Sequence, residues 1–393
     1  MNAASTPNAY GARADLKDPP AIRAALTHKE AVAEVYRLTP QLREYDEFMY
    51  LGVRWLPYTM FFHLRNYRSD VINTDELGFR FTDSHRGRAS MADFPDDVPV
   101  NLLIGGSTAL GTGTTCDSAT TASKLAKLTG EIWLNLGGRG YNATQELILF
   151  LMHQHRFKEI KNVVLLSGAN TLTLEGLPDE LACEHGRYYY SYEFNHYMEA
   201  YNDDIKRRRN SYGSKVDGSG KWLFARASEH LKKAFNDVNH SEKVINDGAV
   251  DINERVERAA WVTSNALRQW QLLLAPYGAR LSYFLQPISR WTKDKFHGDE
   301  EDMFHAIDYC PNNFWRLFGN LCASELHAPY ANGIAAGCAD IGVPFWDMNA
   351  LLRTSPVIHN NIYVDHLHFN DEGYGEMARL IHQAVSPTQE LAV

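Results

Sequence analysis

Nothing in these 393 residues reads as a membrane span, a cysteine framework or a polycation. No apolar run approaches the ~20 residues that a membrane helix needs, so insertion into a bilayer is not expected. The five cysteines, Cys116, Cys183, Cys310, Cys322 and Cys338, are scattered, odd in number and without a CxxC pair. That pattern argues against a disulfide scaffold and against a structural zinc site. Positive charge is in deficit: 39 Lys and Arg face 48 Asp and Glu, a net charge of −9. A nucleic-acid-binding surface usually has the opposite balance, so no nucleic-acid partner is expected. The one basic run, residues 206–209, reads as a solvated helix face. Residues 1–17 lack the apolar core of a secretory signal, which makes the expected location cytoplasmic.

What remains is ordinary globular material, 45% hydrophobic and 22% charged. The aromatic content of 12% suits a pocket as well as a core. Residues 1–20 read as a loose arm, residues 29–67 as helical with Trp55, Phe61 and Phe62 as buried candidates, and residues 82–97 as a polar connection. Together, residues 1–97 form an N-terminal arm and helical extension. Residues 98–393 form the main domain.

In that domain, short apolar runs at 100–104, 132–136, 162–166, 281–285 and 343–345 read as buried strands. Helical patterns separate them at 118–128 (Asp117 as N-cap, Gly130 past the end), 142–156 (Asn142 and Gln145 as a capping box), 255–275 and 323–341. A last helix spans 372–385. The polar, Tyr-rich stretch at about 181–258 breaks this rhythm and reads as an inserted subdomain. Strands alternating with helices predict an α/β fold. The expected form is a three-layer, doubly wound parallel sheet of flavodoxin-like order 2-1-3-4-5. In that order the loops leaving the first three strands meet at one sheet edge, where such folds bind ligands.

Those loops carry chemistry. G-G-S-T-A-L-G-T-G occupies 105–113, N-L-G-G-R-G-Y-N 135–142, S-G-A-N-T 167–171 and D-H-L-H-F-N-D-E-G-Y 365–374. A serine hydroxyl needs a base, and histidine, with an ordinary pKa of about 6.5, can be one. Asp365, three residues before His368, can hold that ring's tautomer. The backbone N–H groups of Ser107 and Gly140 and the Asn170 amide can stabilise an oxyanion. The first loop lacks the Lys of a phosphate-binding P-loop, and Ala109 stands where the nucleophile elbow of an α/β-hydrolase has its last Gly. His366 and His368 with Asp365 are too closely spaced, and without further ligands, to favour a metal, and no cofactor motif is present.

The four segments resemble blocks I, II, III and V of the SGNH (GDSL-like) hydrolases. N-T-D-E-L-G-F-R at 73–80 looks like a lead-in found in some members. The resemblance implies Ser107 as nucleophile, Asp365 and His368 as the rest of the triad, and Gly140 and Asn170 as oxyanion donors. Two positions depart from the pattern: Gly106 replaces the Asp of G-D-S, and Thr171 replaces an Asp that often follows the block III Asn. The activity implied is that of a serine esterase acting on an O-acyl ester of a sugar or other small molecule. Tyr188, Tyr189 and Tyr190 are candidate substrate contacts. The same triad serves an acyltransferase, and a non-catalytic binding module on this fold is the third reading. Oligomeric state is not encoded legibly.

Overall fold

The computed structural model describes residues 26–51, 54–95, 97–175, 186–189, 191, 198–207, 251–308 and 323–386. At its centre is a five-stranded, wholly parallel sheet. Its strands are β5 (Val100–Gly105), β6 (Ile132–Gly137), β7 (Ile160–Ser167), β8 (Arg280–Leu285) and β9 (Phe345–Asp347), in the order β6-β5-β7-β8-β9. This is the predicted 2-1-3-4-5 arrangement.

The strands are mainly apolar because both faces of the sheet are covered. Leu102, Ile104, Leu134, Val163, Leu165 and Tyr283 face one layer, which includes the helices Ala143–His153, Ile252–Leu274 and His327–Ile341. Leu103, Trp133, Val164, Leu166 and Phe284 face the other, which includes the helices Thr121–Thr129, Gly298–Ile307 and Asp371–Val385. Alternate residues of each strand thus supply two separate cores, as the two-residue period of a strand requires. Each large side chain buried this way contributes about 1.5–3 kcal/mol.

The N-terminal region departs from the all-helical expectation. Helices His28–Leu38 and Leu42–Leu51 form, the first opened by a Thr27/Glu30 capping box. The chain then makes an antiparallel hairpin of β1 (Arg54–Leu56) and β2 (Met60–Phe62). Pro57, together with Tyr58 and Met60 at positive φ (71° and 67°), turns the chain there and ends helical propagation. Phe61 and Phe62 are buried as expected, whereas Trp55 is 45% exposed. Within 82–97, a second hairpin joins β3 (Thr82–Ser84) to β4 (Gly87–Ala89), where only a connection was expected.

Two boundaries also shift. Thr120, not Asp117, caps the helix Thr121–Thr129, because Asp117 is instead committed to the buried Arg80. The last strand begins at Phe345, since Pro344 has no N–H to offer the ladder. Residues 252–258 belong to the helix Ile252–Leu274, and most of the rest of the expected insertion lies outside the described residues. Among the described residues, no helix is long and apolar enough to cross a membrane.

Candidate active site

Ser107 opens a single helical turn, Ser107–Leu110, directly after β5. Its carbonyl end is braced twice. Asn135 Nδ2 donates to the Ala109 and Leu110 carbonyls at 3.1 and 3.3 Å. The fully buried Arg80 guanidinium donates to the Leu110 and Gly111 carbonyls at 3.2 and 2.9 Å. Arg80 is held by Asp117 Oδ1 at 2.9 Å and by the Tyr45 hydroxyl at 2.9 Å. The 73–80 segment is therefore a clamp on the serine turn. Asp75 Oδ1 accepts the N–H groups of Leu77, Gly78 and Phe79 and sets the clamp's own turn.

The sheet brings Ser107 to Asp365 and His368, more than 250 residues further along the chain. Ser107 Oγ is 2.7 Å from His368 Nε2, and His368 Nδ1 is 2.6 Å from Asp365 Oδ2. A carboxylate only accepts, so Nδ1 carries the proton and Nε2 accepts from the serine hydroxyl. Asp365 Oδ1 accepts the N–H groups of Leu367 and His368 at 2.7 and 2.8 Å, fixing the turn that presents the ring. Burial would raise the Asp365 carboxyl. The His368 ring and these two N–H groups outweigh it and hold the carboxyl below the usual range. Thr108 Oγ1 donates to the Leu367 carbonyl at 3.1 Å while accepting from Gln286 Nε2 at 2.7 Å, so the histidine turn is tied to the residue after the serine.

His366 points away. Its ring is buried, stacks on Phe304 at 4.3 Å and lies 3.0 Å from Ser289 Oγ through Nδ1.

Asn170 sits in the first turn of the helix Ala169–Glu175, which follows β7. Its Nδ2 donates to the Tyr141 carbonyl at 2.9 Å, which leaves the second amide hydrogen available. The two departures from the family pattern have structural reasons. A Cβ on Gly106 would lie 2.4 Å from Asn170 Nδ2, so aspartate there is incompatible with this placement of Asn170. Thr171, fully buried, accepts the Ala143 N–H at 3.0 Å and so joins the Asn170 loop to the helix after β6. Gly140 adopts φ +69°, a conformation that side chains disfavour.

The tyrosines divide. Tyr188 is buried in the core. Tyr189 is half-buried, with its ring against Gly140 and its hydroxyl 3.2 Å from Thr173 Oγ1. Tyr190 lies outside the described residues. Sequence reasoning missed His63 and Glu146, neither of which stands in a glycine-rich loop or a catalytic spacing, and it singled out the 73–80 segment without giving its last residue, Arg80, a role.

Glu146 is buried on the helix Ala143–His153 and shares a 2.7 Å hydrogen bond with Ser167 Oγ, the residue that begins the Asn170 loop. Burial pushes its carboxyl up to about 8, against the opposing pull of Ser167. A folded pKa raised above the unfolded value of about 4.3 stabilises the protein fully below that value. That stability is lost as pH rises towards about 8. Glu146→Gln should therefore flatten the fall in Tm across this window, as measured by scanning calorimetry. A variant whose Tm falls as steeply as wild type would show that another group titrates.

No family model matches the sequence, and no curated protein does. Among solved structures, the chain is similar to an acetyl xylan esterase (11% identity, 73% of this chain and 100% of that one, TM-score 0.36). It is also similar to a GDSL-like lipase from Bacteroides thetaiotaomicron (13%, 75% and 92%, TM-score 0.36). A third is a carbohydrate acetylesterase from Sinorhizobium meliloti (10%, 73% and 98%, TM-score 0.36). Fold and site together define a doubly wound α/β protein with a hydrogen-bonded Ser–His–Asp set at the carboxyl edge of its sheet. In strand order and in the order of its four loops, the chain resembles the SGNH (GDSL-like) hydrolases.

Proposed function

We propose that this protein is a serine ester hydrolase that works through an acyl-Ser107 intermediate. The observation that carries the proposal is the continuous hydrogen-bond chain from Ser107 Oγ through His368 to Asp365, at 2.7 and 2.6 Å. As Ser107 Oγ attacks the ester carbonyl carbon, His368 Nε2 takes the hydroxyl proton, and the carbonyl electron pair moves onto oxygen. The Ser107 and Gly140 N–H groups and the second Asn170 amide hydrogen are the donors for that oxyanion. One such donor can be worth about 10²–10³ in rate. Collapse expels the alkoxide, which takes the proton from His368. Water then attacks the acyl group with His368 as base, releasing the acid and restoring the Ser107 hydroxyl. Asp365 stays ionised and stabilises the imidazolium.

The resemblance to the SGNH family points to oxygen esters, and an O-acetylated sugar is the first natural substrate to try. The test is product analysis on p-nitrophenyl acetate and on acetylated sugars, with and without millimolar alcohol or sugar acceptors. Free acid should dominate under all conditions. Acylated acceptor as the main product would make the protein a transferase using the same three side chains.

A further inference from the structure

His63 directly follows β2, in the N-terminal region that the sequence places outside the main domain. It is only 3% exposed. Its ring stacks on Phe62 at 4.4 Å and packs at a tilt against Phe48 at 5.7 Å. Its Nδ1 lies 3.2 Å from the Gly78 carbonyl, which can only accept. The proton is therefore on Nδ1, and Nε2 presents a lone pair. That lone pair accepts the Arg139 backbone N–H at 3.1 Å.

Arg139 immediately precedes Gly140 in the loop after β6. The turn 138–141 has four backbone N–H groups. Gly138 donates to the Gly105 carbonyl at 2.9 Å, Arg139 to His63, and Tyr141 to the Gly138 carbonyl at 3.0 Å. Among the described residues, only the Gly140 N–H finds no acceptor. Three anchors hold the turn on either side of it, and His63 is the only one of them that comes from outside the sheet and its loops.

We propose that His63 is a positioning residue of the oxyanion site, aiming the Gly140 N–H through its hydrogen bond to the Arg139 N–H. The proposal rests on the reading of Gly140 as an oxyanion donor. Burial in this apolar slot, reinforced by the nearby Arg139, Arg54 and Arg80 charges, pushes the ring down to about 3, against the Gly78 hydrogen bond. The ring stays neutral at working pH, and the lone pair is always available. On this reading the N-terminal hairpin is part of the catalytic apparatus, because it supplies an acceptor that the loop lacks.

The test pairs two variants. His63→Phe keeps the aromatic packing and removes the acceptor, whereas His63→Gln can place Oε1 near the position of Nε2. With folding checked by circular dichroism, His63→Phe should lower kcat about 10–100-fold with KM within about twofold, since a misaimed donor loses part of its worth. Its affinity for a trifluoromethyl ketone, whose hemiketal adduct with Ser107 Oγ carries the oxyanion, should fall by the same factor. His63→Gln should stay within about threefold of wild type in both. Wild-type kcat in His63→Phe, or equal impairment of both folded variants, overturns the proposal. Should His63→Phe fail to fold, the Gln variant decides: near-wild-type kcat supports the role, and a loss of tenfold or more defeats it. Turnover that survives in Ser107→Ala would defeat the serine mechanism itself, whatever His63 does, so the two failures are distinguishable.

Discussion

Ser107→Ala is expected to lower ester turnover by at least about 10³-fold while the fold persists. The reason is local. The Ser107 hydroxyl makes one hydrogen bond to a neighbouring side chain, to His368, and its backbone is held by contacts that alanine keeps. Asn135 and Arg80 still brace the carbonyl end of the turn, and Thr108 still ties the turn to Leu367. Alanine also suits the first turn of a helix. The loss should therefore appear in kcat and not in Tm, and matched circular dichroism and calorimetry separate the two. A fluorophosphonate should label wild type at this position and leave the variant unlabelled. Turnover above about 1% of wild type in the folded variant would rule out the acyl-serine mechanism, since what survives loss of a triad member is far smaller.

The sheet was legible in the sequence because each of its first four strands is a short apolar run bounded by turn residues. A run of that length between turn signals fits a strand buried on both faces. The loops were legible for a related reason: a doubly wound sheet delivers them to one edge, so Ser107, Gly140, Asn170 and His368 could be grouped before any distance was known. The N-terminal region resisted. Phe61 and Phe62 read as buried residues of a helical stretch, but Pro57 and two residues at positive φ fold the chain into a hairpin instead. Short hairpins of three-residue strands leave too little alternation to detect. The supports of the site were invisible for another reason. His63, Arg80 and Glu146 act through contacts with backbone or side chains far away in sequence, 76 residues in the case of His63 and Arg139. No local pattern encodes such a pairing. Even the family departures became intelligible only in three dimensions, where Gly106 is dictated by the amide of Asn170 lying against it.

His366 and His368, two positions apart on one turn, should respond to substitution in opposite ways. His368→Ala should abolish turnover, with a loss comparable to that of Ser107→Ala, because triad members act as a unit and their separate removals cost similar amounts. Its ring is partly exposed and meets Ser107 and Asp365, so the effect on stability should be small. His366→Ala should leave kcat within a few-fold of wild type and lower Tm instead. Its ring is buried, lies flat on Phe304 and bonds Ser289, whose own N–H is accepted by the His366 carbonyl. Removing a packed, hydrogen-bonded ring from such a site costs about 2–4 kcal/mol. Burial holds His366 below the usual histidine range, against the pull of Asp308, and the ring's contacts are those of packing. The measurement is kcat per folded molecule alongside Tm for each variant. If His366→Ala were the inactive, stable one and His368→Ala the active one, the base would be the wrong histidine, and the hydrogen bond between His368 and Ser107 would be a structural contact only.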